Sequence, residues 1–213
     1  YAVVRGYQPG IYEEWYGDNR AQIQITNFPN AFYKGFFSFE DAELWLKTQG
    51  NPDIEKEESD KVIIYTDGGC SYNPGPGGYS ADLLYKKYRK EVSGGFRLTT
   101  NNRMELMGVI VALRNLEKRD EPITLYTDSS YVVNGITKAW AEKWRKNNWI
   151  KSDKQPAINP DVWGELLDLI KPVKIKFMWV KGHAGNIYNE RCDELAVSSS
   201  KKPGLPEDKG YKG

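Results

Sequence analysis

The chain has 213 residues but only two cysteines and one histidine. Cys70 and Cys192 are too few for a disulfide framework, and neither sits in a CxxC or Cys/His spacing that would hold zinc, so both read as reduced thiols. With His183 alone, a multi-histidine metal site is excluded, and any Ser/His dyad would have to use that residue. No apolar run approaches the ~20 residues needed to span a bilayer, and no membrane partner is expected. The start has neither a signal-type apolar region nor an Arg-rich presequence, so a cytoplasmic location is the default expectation. Tyr1 in place of an initiator Met suggests that the encoded chain begins upstream.

Net charge is also nearly absent at +1, but its distribution is uneven. Residues 1–50 carry four Lys/Arg against six Asp/Glu, residues 51–60 one against five, and residues 61–213 carry 25 against 18. A basic surface is the footprint of a polyanionic partner, although +7 on a segment of this size is also within ordinary variation. The acidic stretch 51–60 has one large apolar residue, Ile54, and too little to bury, so it reads as a linker. It divides a small domain, 1–50, from a larger one, 61–213.

Apolar material is plentiful, at 39% of residues with seven Trp. In the small segment, Tyr1–Val4 and Ile11-Tyr12 flank a Pro9-Gly10 turn, Ala31–Phe37 reads as a third strand, and Ser38 with Asp41 signals a helix ended by Gly50. In the large segment the buried-strand run Val62–Thr66 is expected to break at Asp67-Gly68-Gly69, and Gly75–Gly78 to form a tight loop. Strands at 79–88 and 91–98 follow. A helix through Leu106, Ile110 and Leu113 comes next, then a strand at 123–127, helical stretches at 131–149 and 162–170, a strand at 173–180 and a last helix at 189–199. The order βββαβααβα implies an α/β fold with a mixed sheet covered by helices.

Tyr65-Thr66-Asp67 and Tyr126-Thr127-Asp128 are one tripeptide repeated at the ends of two apolar strands. On adjacent parallel strands both carboxylates would meet at one sheet edge, where open α/β sheets bind ligands. The plainer reading is that Asp commonly ends a strand by bonding turn backbone. Glu105 could equally be a capping-box partner of Asn102, and Asp193 a carboxylate on a solvated helix face.

Several segments together carry a resemblance. They are Thr66-Asp67-Gly68-Gly69-Cys70, Asn73-Pro74-Gly75-Pro76-Gly77-Gly78, Thr99–Leu106, Thr127-Asp128-Ser129, Val180–Gly185 and Asn189–Ala196. In this order they resemble the motif set of type 1 ribonucleases H over residues 61 to about 200, and the tail Leu205–Tyr211 is similar as well. The resemblance implies an RNase H-like mixed five-stranded sheet flanked by helices. It also implies endonucleolytic hydrolysis of the RNA strand of an RNA–DNA hybrid, leaving 3′-hydroxyl and 5′-phosphate ends. Two Mg²⁺ ions, with Mn²⁺ able to substitute, would be held by Asp67, Glu105, Asp128 and Asp193. His183 would aid proton transfer or product release, since imidazole titrates near neutrality.

The same resemblance assigns RNA-strand contacts to Gly68, Cys70, Asn73, Asn102, Glu105, Ser129 and Ser130, with Ser130 departing from a frequent Gln. Thr100 and Asn101, with Arg103, would form a DNA-phosphate pocket. Residues 138–154 carry a local +4 and resemble a basic protrusion contacting DNA through Lys143, Lys146 and Trp149. The i, i+4 spacing of Trp140 and Trp144 favours packing over base stacking. The first segment resembles a small α+β hybrid-binding domain, in which Trp15 and Tyr33 would flank a DNA sugar and Lys34 a phosphate. Gly35 stands where many relatives have a second Lys, so weak binding that assists processivity is expected. A monomer is expected. The rival readings are a non-catalytic duplex-binding module, the ribonuclease H portion of a retroelement polyprotein, and a DNA-directed nuclease with clustered carboxylates.

Overall fold

The computed structural model describes residues 1–17, 20–36, 39, 42, 43, 45, 46, 61–86, 88–182 and 186–212. The acidic stretch 51–60, His183 and most of the segment from Ser38 to Gly50 lie outside them. The chain divides into two compact units, Tyr1–Ser59 and Asp60–Gly213.

In the first unit β1 (Ala2–Arg5) pairs antiparallel with both β2 (Gly10–Ile11) and β3 (Phe32–Lys34). The sequence reading assigned nothing to α1 (Ala21–Ile25), because its alternation of apolar and polar residues lacks helical period; Ala21 and Gln24, three apart, form its buried face. Ala2, Ala42 and Trp45 make a small core, on which the rings of Phe32 and Phe36 pack with centroids 5.2 and 5.5 Å from that of Trp45.

In the second unit β4 (Val62–Cys70), β5 (Gly75–Tyr85), β6 (Tyr88–Thr99), β7 (Ile123–Thr127) and β8 (Ile175–Trp179) form one mixed sheet in the order β6-β5-β4-β7-β8. Its helices are α2 (Asn101–Arg114), α3 (Ser130–Thr137), α4 (Trp140–Lys146), α5 (Pro160–Ile170) and α6 (Ile187–Ser200). The five-stranded α/β expectation is met. β4 is antiparallel to β5 and parallel to β7, with Tyr65 opposite Tyr126 and Thr66 opposite Thr127.

Strand alternation sorts β4 between two cores. Val62 and Ile64 join Leu106, Ile110, Leu113, Trp163 and Leu166 in the main one, whereas Ile63 and Tyr65 pack with Cys192 of α6. Fully burying side chains of this kind contributes about 1.5–3 kcal/mol each.

Three local expectations are corrected. β4 does not break at Asp67 but stays paired with β5 through Gly68 and Gly69 to Cys70, and Gly68 answers to packing, since α2 crosses so closely that a Cβ there would collide with the Met104 carbonyl. Gly75–Gly78 open β5 rather than forming a loop, and a Cβ at Gly78 would strike the Ala196 carbonyl of α6. The helical stretch 131–149 is two helices, separated where Ala139 takes φ +54°.

Candidate active site

The parallel register of β4 with β7 places Asp67 and Asp128 side by side, each directly after its repeated Tyr-Thr pair. Glu105 reaches the same place from the second turn of α2. Ligand oxygens of Asp67, Glu105 and Asp128 all lie within 4.8 Å of one another. A cavity of about 430 Å³ opens there, lined by Asp67, Gly68, Cys70, Asn101, Glu105 and Asp193 among others. Asp193, on α6, thus shares the cavity but stands outside the three-carboxylate group.

The electrostatics are those of a site built for cations. Burial pushes the Glu105 carboxyl well above its ordinary range, the charges of Asp67 and Asp128 push it further, and a hydrogen bond from Ser129 offsets only part of this. Glu105 Oε2 is buried with no hydrogen-bond partner. An orphaned carboxylate oxygen facing two further carboxylates is costly without a cation, and hard oxygen donors suit a divalent ion of the Mg²⁺ kind. The donor set therefore fits the metal ions that the sequence resemblance implies.

The supporting contacts explain how these groups are held. Gly68 N–H donates to Asp67 Oδ1 at 2.6 Å. Trp179 Nε1 donates to the Asp128 carbonyl at 3.0 Å, and a Cβ at Gly182 would lie 2.5 Å from Asp128 Oδ2, so the strand and loop after β7 fit tightly around that residue. Neither Trp179 nor Gly182 was singled out as a site residue. The only sequence signal was their place in the run leading to His183.

The expected nucleic-acid contacts divide into distinct groups. Asn101 Oδ1 accepts from the Cys70 N–H at 2.8 Å, and Asn73 Oδ1 accepts from the Asn101 N–H at 3.1 Å, so the loop after β4 is tied to the start of α2. Asn73, Asn101, Asn102 and Ser130 are exposed, and Thr100 is half-buried. Ser129 is buried and caps α3 by accepting from the Val132 N–H at 3.3 Å. Cys70 is half-buried; burial, and after it the charge of Asp208, push its thiol up to about 11, so it stays protonated.

Arg103 requires a correction. It is 3% exposed, and its guanidinium is engaged by Asp161 and Asp208 at 2.7–2.8 Å. A cation so enclosed is not presented to a phosphate. Lys143 and Lys146 are exposed on α4, whereas Trp149 is half-buried against the main core. In the first unit the rings of Tyr1 and Tyr33 lie 4.9 and 5.1 Å from that of Trp15, forming one aromatic cluster, and Lys34 sits 5.6 Å above the Phe36 ring.

A mixed five-stranded sheet with three carboxylates converging at the end of its parallel pair defines a nuclease of the RNase H-like fold. Comparison with known proteins narrows the class. The family model described as RNase H matches residues 59–201, and that described as Ribonuclease H1 N-terminal domain matches residues 1–46. The chain is 56% identical over 155 residues to Ribonuclease H of Trichodesmium erythraeum, covering 73% of this chain and 98% of that one. It is 53% identical over 147 residues to Ribonuclease H of Caldanaerobacter subterraneus, covering 69% and 95%. Among solved structures it is similar to LC9-RNase H1, a type 1 RNase H with the type 2 active-site motif, with TM-score 0.59, 30% identity, and 67% and 72% of the two chains covered. The chain belongs to the ribonuclease H family, with a type 1 catalytic domain behind a ribonuclease H1 N-terminal domain. Its activity is hydrolysis of the RNA strand of RNA–DNA hybrids.

Proposed function

We propose that cleavage takes place at the Asp67–Glu105–Asp128 cluster with two Mg²⁺ ions, for which Mn²⁺ can substitute, and leaves 3′-hydroxyl and 5′-phosphate ends. The observation that carries this reading is the convergence of three carboxylates within 4.8 Å, one of them with a buried, unpartnered oxygen. Bound divalent cations supply water activation, charge relief on the phosphate and stabilisation of the leaving alkoxide. Asp67, Glu105, Asp128 and Asp193 would hold the ions, Asp67 and Asp193 toward the side where water is activated and Glu105 and Asp128 toward the leaving group. The remaining residues orient the substrate. The Asn73–Asn101–Cys70 bridge fixes the loop that presents backbone and amide groups to the 2′-hydroxyls, which lie in the wide minor groove of an A-like duplex. Thr100 and Asn101 would take a DNA phosphate, and Lys143 and Lys146 would grip the backbone without reading sequence. His183 would aid proton transfer or product release. The aromatic cluster of Trp15 and Tyr33 would flank a DNA sugar while Lys34 meets a phosphate, and the protein would act as a monomer.

The test compares RNA–DNA hybrid, double-stranded RNA and double-stranded DNA, with Mg²⁺ and with chelator. Hybrid-only, metal-only cleavage that Asp128→Asn abolishes is the expected result. Cleavage that survives chelation, or that persists in the variant, would refute the metal assignment.

A further inference from the structure

The tail after α6 contains Leu205-Pro206-Glu207-Asp208-Lys209-Gly210-Tyr211, a run to which the catalytic chemistry gives no part. It is fastened to the catalytic unit at several points. Arg97 N–H donates to the Pro206 carbonyl at 2.9 Å. The buried Asp208 carboxylate accepts from Thr99 Oγ1 at 2.7 Å, from Arg103 Nε and Nη2 at 2.7 and 2.8 Å, and from the Gly210 N–H at 3.2 Å. Arg103 also donates to Asp161 of α5 at 2.8 and 2.7 Å. Gly210 sits tightly against the network, since a Cβ there would displace the ends of the Asp161 and Arg103 side chains.

The position of this network in the fold matters more than its strength. Thr99 ends β6 and Arg103 lies in the first turn of α2, the turn that leads into Glu105. Residues two apart on a helix project from opposite sides, so Arg103 anchors the rear of the segment whose front offers Glu105. On the β4 side, the Met104 backbone rests against Gly68. A buried ion-pair network is a poor device for stability alone, because desolvation offsets much of the attraction. What paired, forked hydrogen bonds do supply is a fixed orientation.

We propose that Asp208 is a positioning residue: acting through Arg103, it fixes the first turn of α2, and with it Glu105, Thr100 and Asn101, against Asp67. This rests on the reading of Glu105 as a metal ligand. The tail is then a strap belonging to the active site, although it touches no substrate.

The test uses the whole chain, well below its unfolding temperature. Asp208→Asn keeps the side-chain shape and removes the charge. It is expected to weaken Mn²⁺ binding several-fold by calorimetry, to raise KM for hybrid by a similar factor, and to speed hydrogen exchange at the Arg103, Met104 and Glu105 amides. Thr99→Val removes one donor while leaving the ion pairs, and should move all three measurements the same way by less, which serves if the first variant does not fold. Leu83→Ala, a core truncation in β5, should lower thermal stability while leaving metal affinity and those amides unchanged. Wild-type metal affinity and exchange in both Asp208→Asn and Thr99→Val, or an equal shift in Leu83→Ala, would overturn the proposal. Glu105→Gln that retains metal-dependent cleavage would instead remove the metal-site reading, and the exchange measurement alone would then decide for or against the strap.

Discussion

Trp179 donates its indole N–H to the backbone carbonyl of Asp128 at 3.0 Å, although the side chain is more than half exposed. The bond ties the backbone of Asp128 to β8, and losing it is expected to loosen the hold on that carboxylate. Trp179→Phe retains the ring and loses the donor. One hydrogen bond contributes about 1 kcal/mol, so kcat on hybrid is expected to fall about five-fold with little change in unfolding temperature. Steady-state kinetics at saturating metal decide it, and an unchanged kcat would sink the idea.

The raised Glu105 carboxyl predicts a metal-free protein that is less stable at neutral pH than in acid. A carboxyl whose folded pKa is raised contributes stability that is fully present below the unfolded value and lost as pH rises through the folded one. Glu105→Gln should therefore raise the unfolding temperature of the metal-free protein at pH 7. Added Mg²⁺ should stabilise the wild type more than the variant, which differential scanning calorimetry can follow.

The strap carries the opposite pH dependence. Burial opposes ionisation of Asp161 and Asp208, but the hydrogen bonds and charge of Arg103 outweigh it and hold both carboxyls below their ordinary value. Their contribution to stability is present above about pH 4, near the unfolded Asp value, and lost as pH falls through the lowered folded values. Urea midpoints measured from pH 6 downward should decline more steeply for the wild type than for Asp208→Asn. Parallel curves would show that the network contributes nothing in acid.

Lys143 and Lys146 stand exposed on α4 with no ion pair among the described residues. Replacing both with Ala should weaken hybrid binding about equally for all sequences. It should also flatten the dependence of log K on log salt by about 0.9 for each lost phosphate contact. Fluorescence anisotropy across a salt series tests this, and an unchanged slope would place the DNA strand elsewhere.

What the sequence disclosed depended on whether a signal was local. The repeated Tyr-Thr-Asp was legible because two strands in parallel register must set identical tripeptides abreast, as Thr66 opposite Thr127 does. The mixed sheet was legible from element order. Arg103 was misread because a cation beside good cap residues looks like a phosphate ligand. Its partners, Asp161 and Asp208, lie 58 and 105 residues away in the chain, and no local pattern announces them. Gly68 and Gly78 were misread for a related reason. Glycine usually signals a turn, yet here it lets α2 and α6 pass close over strands, a requirement set by tertiary packing.

The side-by-side alignment of β4 and β7 has a consequence for how the molecule is made. A slip of one position would shift an acidic group by ~3.3 Å and turn it to the other side of the sheet. Divalent ions bound by the aligned pair would favour that alignment over every shifted one. On the metal-site reading proposed above, the ions that serve cleavage would also act as a template that rewards correct assembly of the sheet.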